Sequence, residues 1–328
     1  MKRFIIPFIC VCAILVVVLY LTGSAAYDRT MAEANRSLAV RAQSAADAVD
    51  RVLQSRMIQV FTFAALPTLR AFAASDDAER PARMALARAE LQSMVDADPN
   101  VRAVGMVDTT GTVILSTDKT MLENWSDRVF VREALRGQIY ASVPARDLGE
   151  VSQYYSAPVL NNAGDIAGGL VVRVAVQEMW DVLGDQFDVL LVDQNGVRIS
   201  DHSAAPQNFV ALAPPNVDVL NRALAEKQYG TEVTQIRFTN LTDLMTAVTR
   251  NQPQATYRDS KGQVVHAALA RLKIFPWTVI VFANEEAMLA PARDIIWDQI
   301  KIAVVSAVVA ASAILVTQYL SAPDENTK

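Results

Sequence analysis

Six side chains between positions 125 and 173 have the chemistry to hold a small polar molecule. Arg128 and Arg173 each offer a planar guanidinium that can grip a carboxylate through two charge-assisted hydrogen bonds. Tyr140 and Tyr154 add hydroxyl groups, and Trp125 and Phe130 add flat apolar walls. The set suits a small anion, a carboxylate or dicarboxylate above all. Each arginine also has a plainer role open to it. Arg128 could pair with Glu123 or Glu133 on a helix surface, and Arg173 could point outward from a strand.

The elements that would position these residues are legible in the same stretch. Ser126 or Asp127 suits a helix N-cap, and Gly137 suits the helix stop. Residues 139–143, 153–160 and 166–176 are rich in Val, Ile and Tyr and predict strands. Asn161-Asn162-Ala163-Gly164-Asp165 predicts a hairpin turn. A helix laid across such a sheet makes a concave site. Gly168-Gly169 marks a strand position where backbone or ligand comes close.

Catalytic and metal chemistry is poorly represented. The two histidines, His202 and His266, have no Cys or His partner at ligand spacing. Phosphate-loop, dinucleotide and nucleophile-elbow patterns are missing. Asp181, Asp185 and Asp188 read as a solvated helix end rather than a calcium site. No enzyme, cofactor or metal is expected. With net charge −5 and no basic stretch beyond Lys2-Arg3, nucleic acid is not an expected partner.

Hydrophobic residues make up 52% of the 328 positions, and two uncharged runs account for the excess. Residues 4–22 and 302–320 are each 19 residues long, near the ~20 needed to span a bilayer. The first could be a cleaved signal ending near Ser24-Ala25-Ala26, but its length favours an uncleaved anchor. Lys2-Arg3 favours a cytoplasmic N-terminus, which places about 23–299 outside. Cys10 and Cys12 both fall in the first run, leaving the exterior without a disulfide. In the second run Ala303, Ala307 and Ala311 form a small-residue face that suits close helix packing, or reflect an Ala-rich chain.

Leu38, Ala42, Ala45, Val49 and Val52, then Leu53, Met57, Val60 and Ala64, recur at helical spacing and predict a long helix. Its apolar seam fits either a homodimer stalk or packing on its own domain. Further on, Val107-Asp108-x-x-Gly111 is echoed by Val192-Asp193-x-x-Gly196, each with a flanking strand pair. The echo predicts two modules in tandem.

These features together resemble the double Cache sensor domain of bacterial transmembrane receptors. Ser126-Asp127-Arg128-Val129-Phe130 is similar to the Ser-Asp-Arg-Pro-Tyr-Phe type segment of its membrane-distal module. Tyr155-Ser156-Ala157-Pro158-Val159 resembles the strand after it, and Ile274-Phe275-Pro276-Trp277-Thr278-Val279 the late Pro-Trp strand. The resemblance covers roughly 30–300 and implies an α+β fold: a long N-terminal helix followed by two PAS-like antiparallel-sheet modules, flanked by two transmembrane helices. The expected division is 1–3 cytoplasmic, 4–22 first span, 28–75 long helix, 76–186 distal module, 187–283 proximal module, 284–299 juxtamembrane helix, 300–320 second span and 321–328 short cytoplasmic tail.

In the amino-acid-binding branch of that family, an Arg-x-Trp-Tyr segment holds the ligand carboxylate and a later Asp holds its amine. Arg128 matches the arginine, while Phe130 and Val131 stand at the Trp and Tyr positions and Arg173 at the Asp position. An ammonium facing Arg173 would be repelled, which favours an anion. The implied function is an inner-membrane sensor with both termini cytoplasmic, binding a small ligand outside. It would signal as a homodimer or through a membrane partner carrying the output domain; with eight residues after the second run, the chain is either a stand-alone sensor of that kind or a fragment whose output domain is missing. The alternative is a membrane-tethered solute-binding or scaffold protein without signalling.

Overall fold

The computed structural model describes residues 2–119, 124–184, 189–202 and 207–320. Glu123, Asp185, Asp188 and the tail 321–328 lie outside the described residues. The described chain falls into two compact units. One gathers the N-terminal stretch to Leu38, residues 258–266 and the stretch from Ala283 onward; the other holds 39–257 and 267–282.

The larger unit carries the site. Helix α1 (Lys2–Ala64) enters it at Ala39, and Pro67 opens the short helix α2 (Pro67–Ala73). Helix α3 (Arg80–Ala97) then leads to a six-stranded antiparallel sheet. Its strands are β1 (Val101–Val107), β2 (Val113–Ser116), β3 (Tyr140–Ala141), β4 (Ala145–Asp147), β5 (Glu150–Leu160) and β6 (Ile166–Ala175). The order is β2-β1-β6-β5-β3, with β4 also on β5. Helix α4 (Val129–Leu135) lies on β5 and β6. The helix begins later than predicted, with Arg128 itself at the N-cap and making no side-chain cap.

The chain continues through α5 (Gln177–Asp181), β7 (Val189–Val192), β8 (Arg198–Asp201) and β9 (Val210–Ala211). Then come α6 (Val217–Ala225), β10 (Arg237–Phe238), α7 (Thr242–Thr249), β11 (Gln254–Arg258), β12 (Val264–Arg271) and β13 (Thr278–Asn284). Strands β11-β12-β13-β7-β8 make a second sheet, and β9 pairs with β10 in parallel.

The seam of α1 proves to be core. Leu38, Ala42, Val49, Leu53, Val60 and Ala64 are buried within the chain, Ala46 takes the place of the predicted Ala45, and Val52 and Met57 are half-buried. That face is therefore not free to form a dimer stalk. The buried guanidinium of Arg56 strengthens the packing. It is ion-paired with Asp98 at the end of α3 and with Glu178 of α5 at 2.6 Å. Burial opposes its charge, but the two carboxylates hold its pKa above the ordinary value.

In the smaller unit, α8 (Glu285–Leu320) holds the stretch Glu285–Ala313, long and apolar enough to cross a membrane. It is the one such stretch among the described residues. Cys10 and Cys12 lie where only the backbone of α1 is described. From Ile14 to Leu21 the apolar side chains of α1, Ile14, Val16, Val17, Val18, Tyr20 and Leu21, are exposed.

Candidate ligand-binding site

The register of β5 and β6 fixes one face of the first sheet. Tyr154 pairs with Arg173, and Arg173 pairs in turn with Ala103 of β1, so the three side chains leave the same face. Helix α4 covers that face. Ser156 Oγ donates to Phe130 O at 2.6 Å, and Gly169 lets Ala134 sit against β6, where a Cβ would come within 3.3 Å of the Ala134 Cβ. The close approach expected at Gly168-Gly169 is thus one of helix and backbone. A Cβ on Gly168 would fall 2.2 Å from Val107 O.

A small cavity of about 20 Å³ opens between α4, β3, β4 and β5. Arg128, Phe130, Tyr140 and Tyr154 line it, with Ser142, Val143 and Ala145. Four of the six residues expected from sequence therefore converge. The other two do not reach the cavity. Trp125 is packed edge-on against Phe130 and Tyr154, at 5.8 and 6.3 Å between ring centroids. Arg173 is drawn aside by Glu150 at 3.3 Å and Asp118 at 3.7 Å. It is buried, and its Nε and Nη1 find no hydrogen-bond acceptor among the described residues.

Asp147, which sequence reasoning passed over, stands behind the cavity wall, against Tyr154 and Arg128. It is 4% exposed. Its Oδ1 accepts from Thr231 N and Oγ1, both at 2.7 Å, and its Oδ2 accepts from Tyr154 Oη at 3.1 Å. Arg128 approaches it only loosely, with Nη2 3.8 Å from Oδ1, and stands 3.9 Å from Asp127. Burial, and then the Asp147 charge, push the Tyr154 hydroxyl well above the usual phenol range, while Arg173 and Arg128 pull the other way. Tyr140 is raised to about 12, mainly by burial. Both phenols are thus neutral donors at any ordinary pH.

The arrangement offers groups that can hold a small polar molecule. It has one loosely held guanidinium, two phenol donors, a buried carboxylate and an aromatic floor. Among the described residues no group of three or more His, Cys, Asp or Glu side chains is placed to hold a metal.

A family model for the Cache domain matches residues 23–292. The chain belongs to the Cache domain family. No curated protein matches the sequence. This Cache chain has the fold of the sensor domain of the V. cholerae histidine kinase DctB, at TM-score 0.59 and 16% identity over 82% of this chain and 97% of that one. It is also similar to the ligand-binding domain of the Campylobacter jejuni chemoreceptor Tlp3 in complex with L-valine, at TM-score 0.54 and 14% identity, covering 82% and 98%. The same domain in complex with 4-methylisoleucine gives 0.54 and 14%, covering 81% and 95%. These structural relatives are a histidine-kinase sensor domain and a chemoreceptor ligand-binding domain.

Proposed function

We propose that this Cache chain is a membrane-anchored extracytoplasmic sensor whose ligand is a small carboxylate or other anion, bound at Arg128. The observation that carries the reading is the state of Arg128. Its side chain is 11% exposed, faces the cavity, and meets its carboxylate neighbours only at 3.8 and 3.9 Å. A guanidinium so placed keeps its fork available for a carboxylate. Tyr140 supplies a further donor, and the stacked rings of Phe130 and Tyr154 form an aromatic floor that shapes the site. Arg173, whose Nε and Nη1 have no hydrogen-bond acceptor among the described residues, extends the positive wall once ligand displaces Glu150. The first sheet is then the membrane-distal module and the second the proximal one. The start of α1 and the apolar part of α8 are the two spans. The signal leaves through α8 to a partner or an output domain.

A second reading has its own support. Asp147 beside Arg128 offers opposite charges to a zwitterion, and the Tlp3 domain is known with L-valine. Against it, Thr231 and Tyr154 already occupy the Asp147 oxygens. A tethered binding protein without signalling shares the same site and differs only in its partners.

The test is a thermal-shift screen of the full chain with succinate, L-valine and putrescine. Ligand that binds only the folded state raises its Tm by mass action. Succinate should stabilise the protein, Arg128→Ala should weaken it about tenfold or more, and Arg128→Lys should restore little because the fork is lost. Stabilisation by putrescine alone would overturn the anion reading.

A further inference from the structure

One wall of the cavity comes from far along the chain. Glu226, Lys227 and Gln228 line it, from the segment that leaves α6 and runs to Glu232. This segment is tied to the first-sheet half along its length. Glu226 pairs with Arg132 at 3.0 Å and Lys227 with Asp127 at 2.7 Å. Arg146 N donates to Tyr229 O at 2.8 Å, Thr231 holds Asp147, and Gly149 N donates to Glu232 at 2.6 Å.

The side chain of Tyr229 turns the other way. It is fully buried and donates to Asp193 Oδ2 at 2.6 Å while accepting from Asn195 Nδ2 at 3.0 Å. Asp193 opens the β7–β8 turn. One stretch of chain therefore grips the cavity with its backbone and ends, and the second sheet with its central side chain.

Comparison of turns shows that Asp193 is not explained by its turn. The β1–β2, β5–β6, β7–β8 and β11–β12 turns begin at Asp108, Asn161, Asp193 and Asp259. In each, the first side chain accepts the N–H groups two and four residues on, and a glycine with positive φ sits third after it. Asn161 does this as well as any aspartate, so the turn needs no charge. Asp193 is the one of the four that is buried, and it receives a phenol.

We infer that residues 226–232 form a strap that gates the ligand cavity, and that the Tyr229–Asp193 bond passes the open or closed state of that cavity to the second sheet. The inference rests on the ligand site proposed above. A cavity of about 20 Å³ holds roughly one water. A ligand of several heavy atoms enters when Glu226 and Lys227 release Arg132 and Asp127. Both pairs are partly exposed and therefore weak, so the gate is easily opened. Movement of the strap displaces Tyr229 and with it the β7–β8 turn, next to β13 in the second sheet.

The test reads cavity access without needing the ligand. In the full chain with Cys10→Ala and Cys12→Ala, Ser142→Cys places a buried thiol in the cavity wall, and iodoacetamide measures its exposure. Tyr229→Phe should raise the labelling rate about tenfold, the effect of losing one hydrogen bond to a charged group. Asp193→Asn should raise it by less, and it keeps the turn as Asn161 does, so it serves if Tyr229→Phe fails to fold. Amide exchange in β1 and β6 should stay unchanged in both. Unchanged labelling in both variants would overturn the strap, as would faster exchange throughout β1 and β6, which is general loosening. Succinate and L-valine, added to the Ser142→Cys protein, test the other reading separately. Protection by neither would remove the proposed ligands and leave the labelling result for the strap standing.

Discussion

Phe130 and Tyr154 lie face to face, with ring centroids 4.6 Å apart and planes within 4°. One ring comes from α4 and the other from β5, so the stack locks the helix to the sheet and also forms the floor of the cavity. Phe130→Ala is expected to cost about 3–5 kcal/mol, the usual loss for a buried phenylalanine. Phe130→Leu, which keeps most of the volume, should cost about 1–2 kcal/mol. Urea denaturation measures both. A loss below 1 kcal/mol for the alanine variant would mean that α4 does not depend on the stack.

Gly230 allows the strap to touch β4. Its φ is +95°, and a Cβ there would lie 2.2 Å from Arg146 O. Gly230→Ala must therefore push the strap off the Arg146 backbone, at a cost of about 1–3 kcal/mol for the strained conformation alone. Amide exchange should quicken at Thr231 and Glu232, whose N–H groups are held by Asp147 and Arg146. Unaltered exchange there would show that the strap does not need this contact.

Arg56 neutralises two carboxylates from separate helices in a buried setting. Removing one side of such an arrangement leaves uncompensated charge, so Arg56→Met should destabilise by about 3–5 kcal/mol at neutral pH. Burial works against the ionised form of Asp98, but Arg56 and the Asn100 N–H lower its pKa overall. The stabilisation it provides is present above the ordinary carboxylate pKa and is lost as pH falls through the lower folded value. Thermal melts from pH 7 down to pH 3 should show a shallower acid decline in Arg56→Met than in the unaltered protein.

Much of the site was legible because its signals are local. Arg128, Phe130, Tyr140 and Tyr154 sit in or beside strands and a helix whose composition marks them, and the structure brings them to one cavity. The Val-Asp-x-x-Gly echo corresponds to the same turn in two sheets. Asp147 was missed because β4 is three residues long and turns into β5 through Leu148-Gly149, both at positive φ. Leucine is rarely left-handed, so no turn chemistry announced that hairpin. The strap was missed for a different reason: Thr231 meets Asp147 across 84 residues, and nothing in either local sequence encodes the meeting. Arg173 leaves the same sheet face as Tyr154, and Trp125 packs against Phe130 and Tyr154, but ion pairing and packing keep both from the cavity, and spacing alone does not reveal such competition.

Asp193 gives the chain a pH dependence of opposite sign to that of Asp98. Burial raises its pKa to about 6, and the hydrogen bonds from Tyr229 and from the Val197 and Asn195 N–H groups only partly offset this. Between the unfolded value near 4 and the folded value, the native state binds more protons than the unfolded chain. Stability from this group is therefore greatest below pH about 4 and falls as pH rises through about 6. The full difference is roughly 2–3 kcal/mol. Asp193→Asn carries no such charge and should gain stability relative to the unaltered protein as pH is raised from 4.5 to 7.5. The difference between the two Tm curves isolates the group, because other titrations are common to both. Parallel curves would mean that the Tyr229 hydroxyl stabilises ionised Asp193 enough to cancel the cost of burying it.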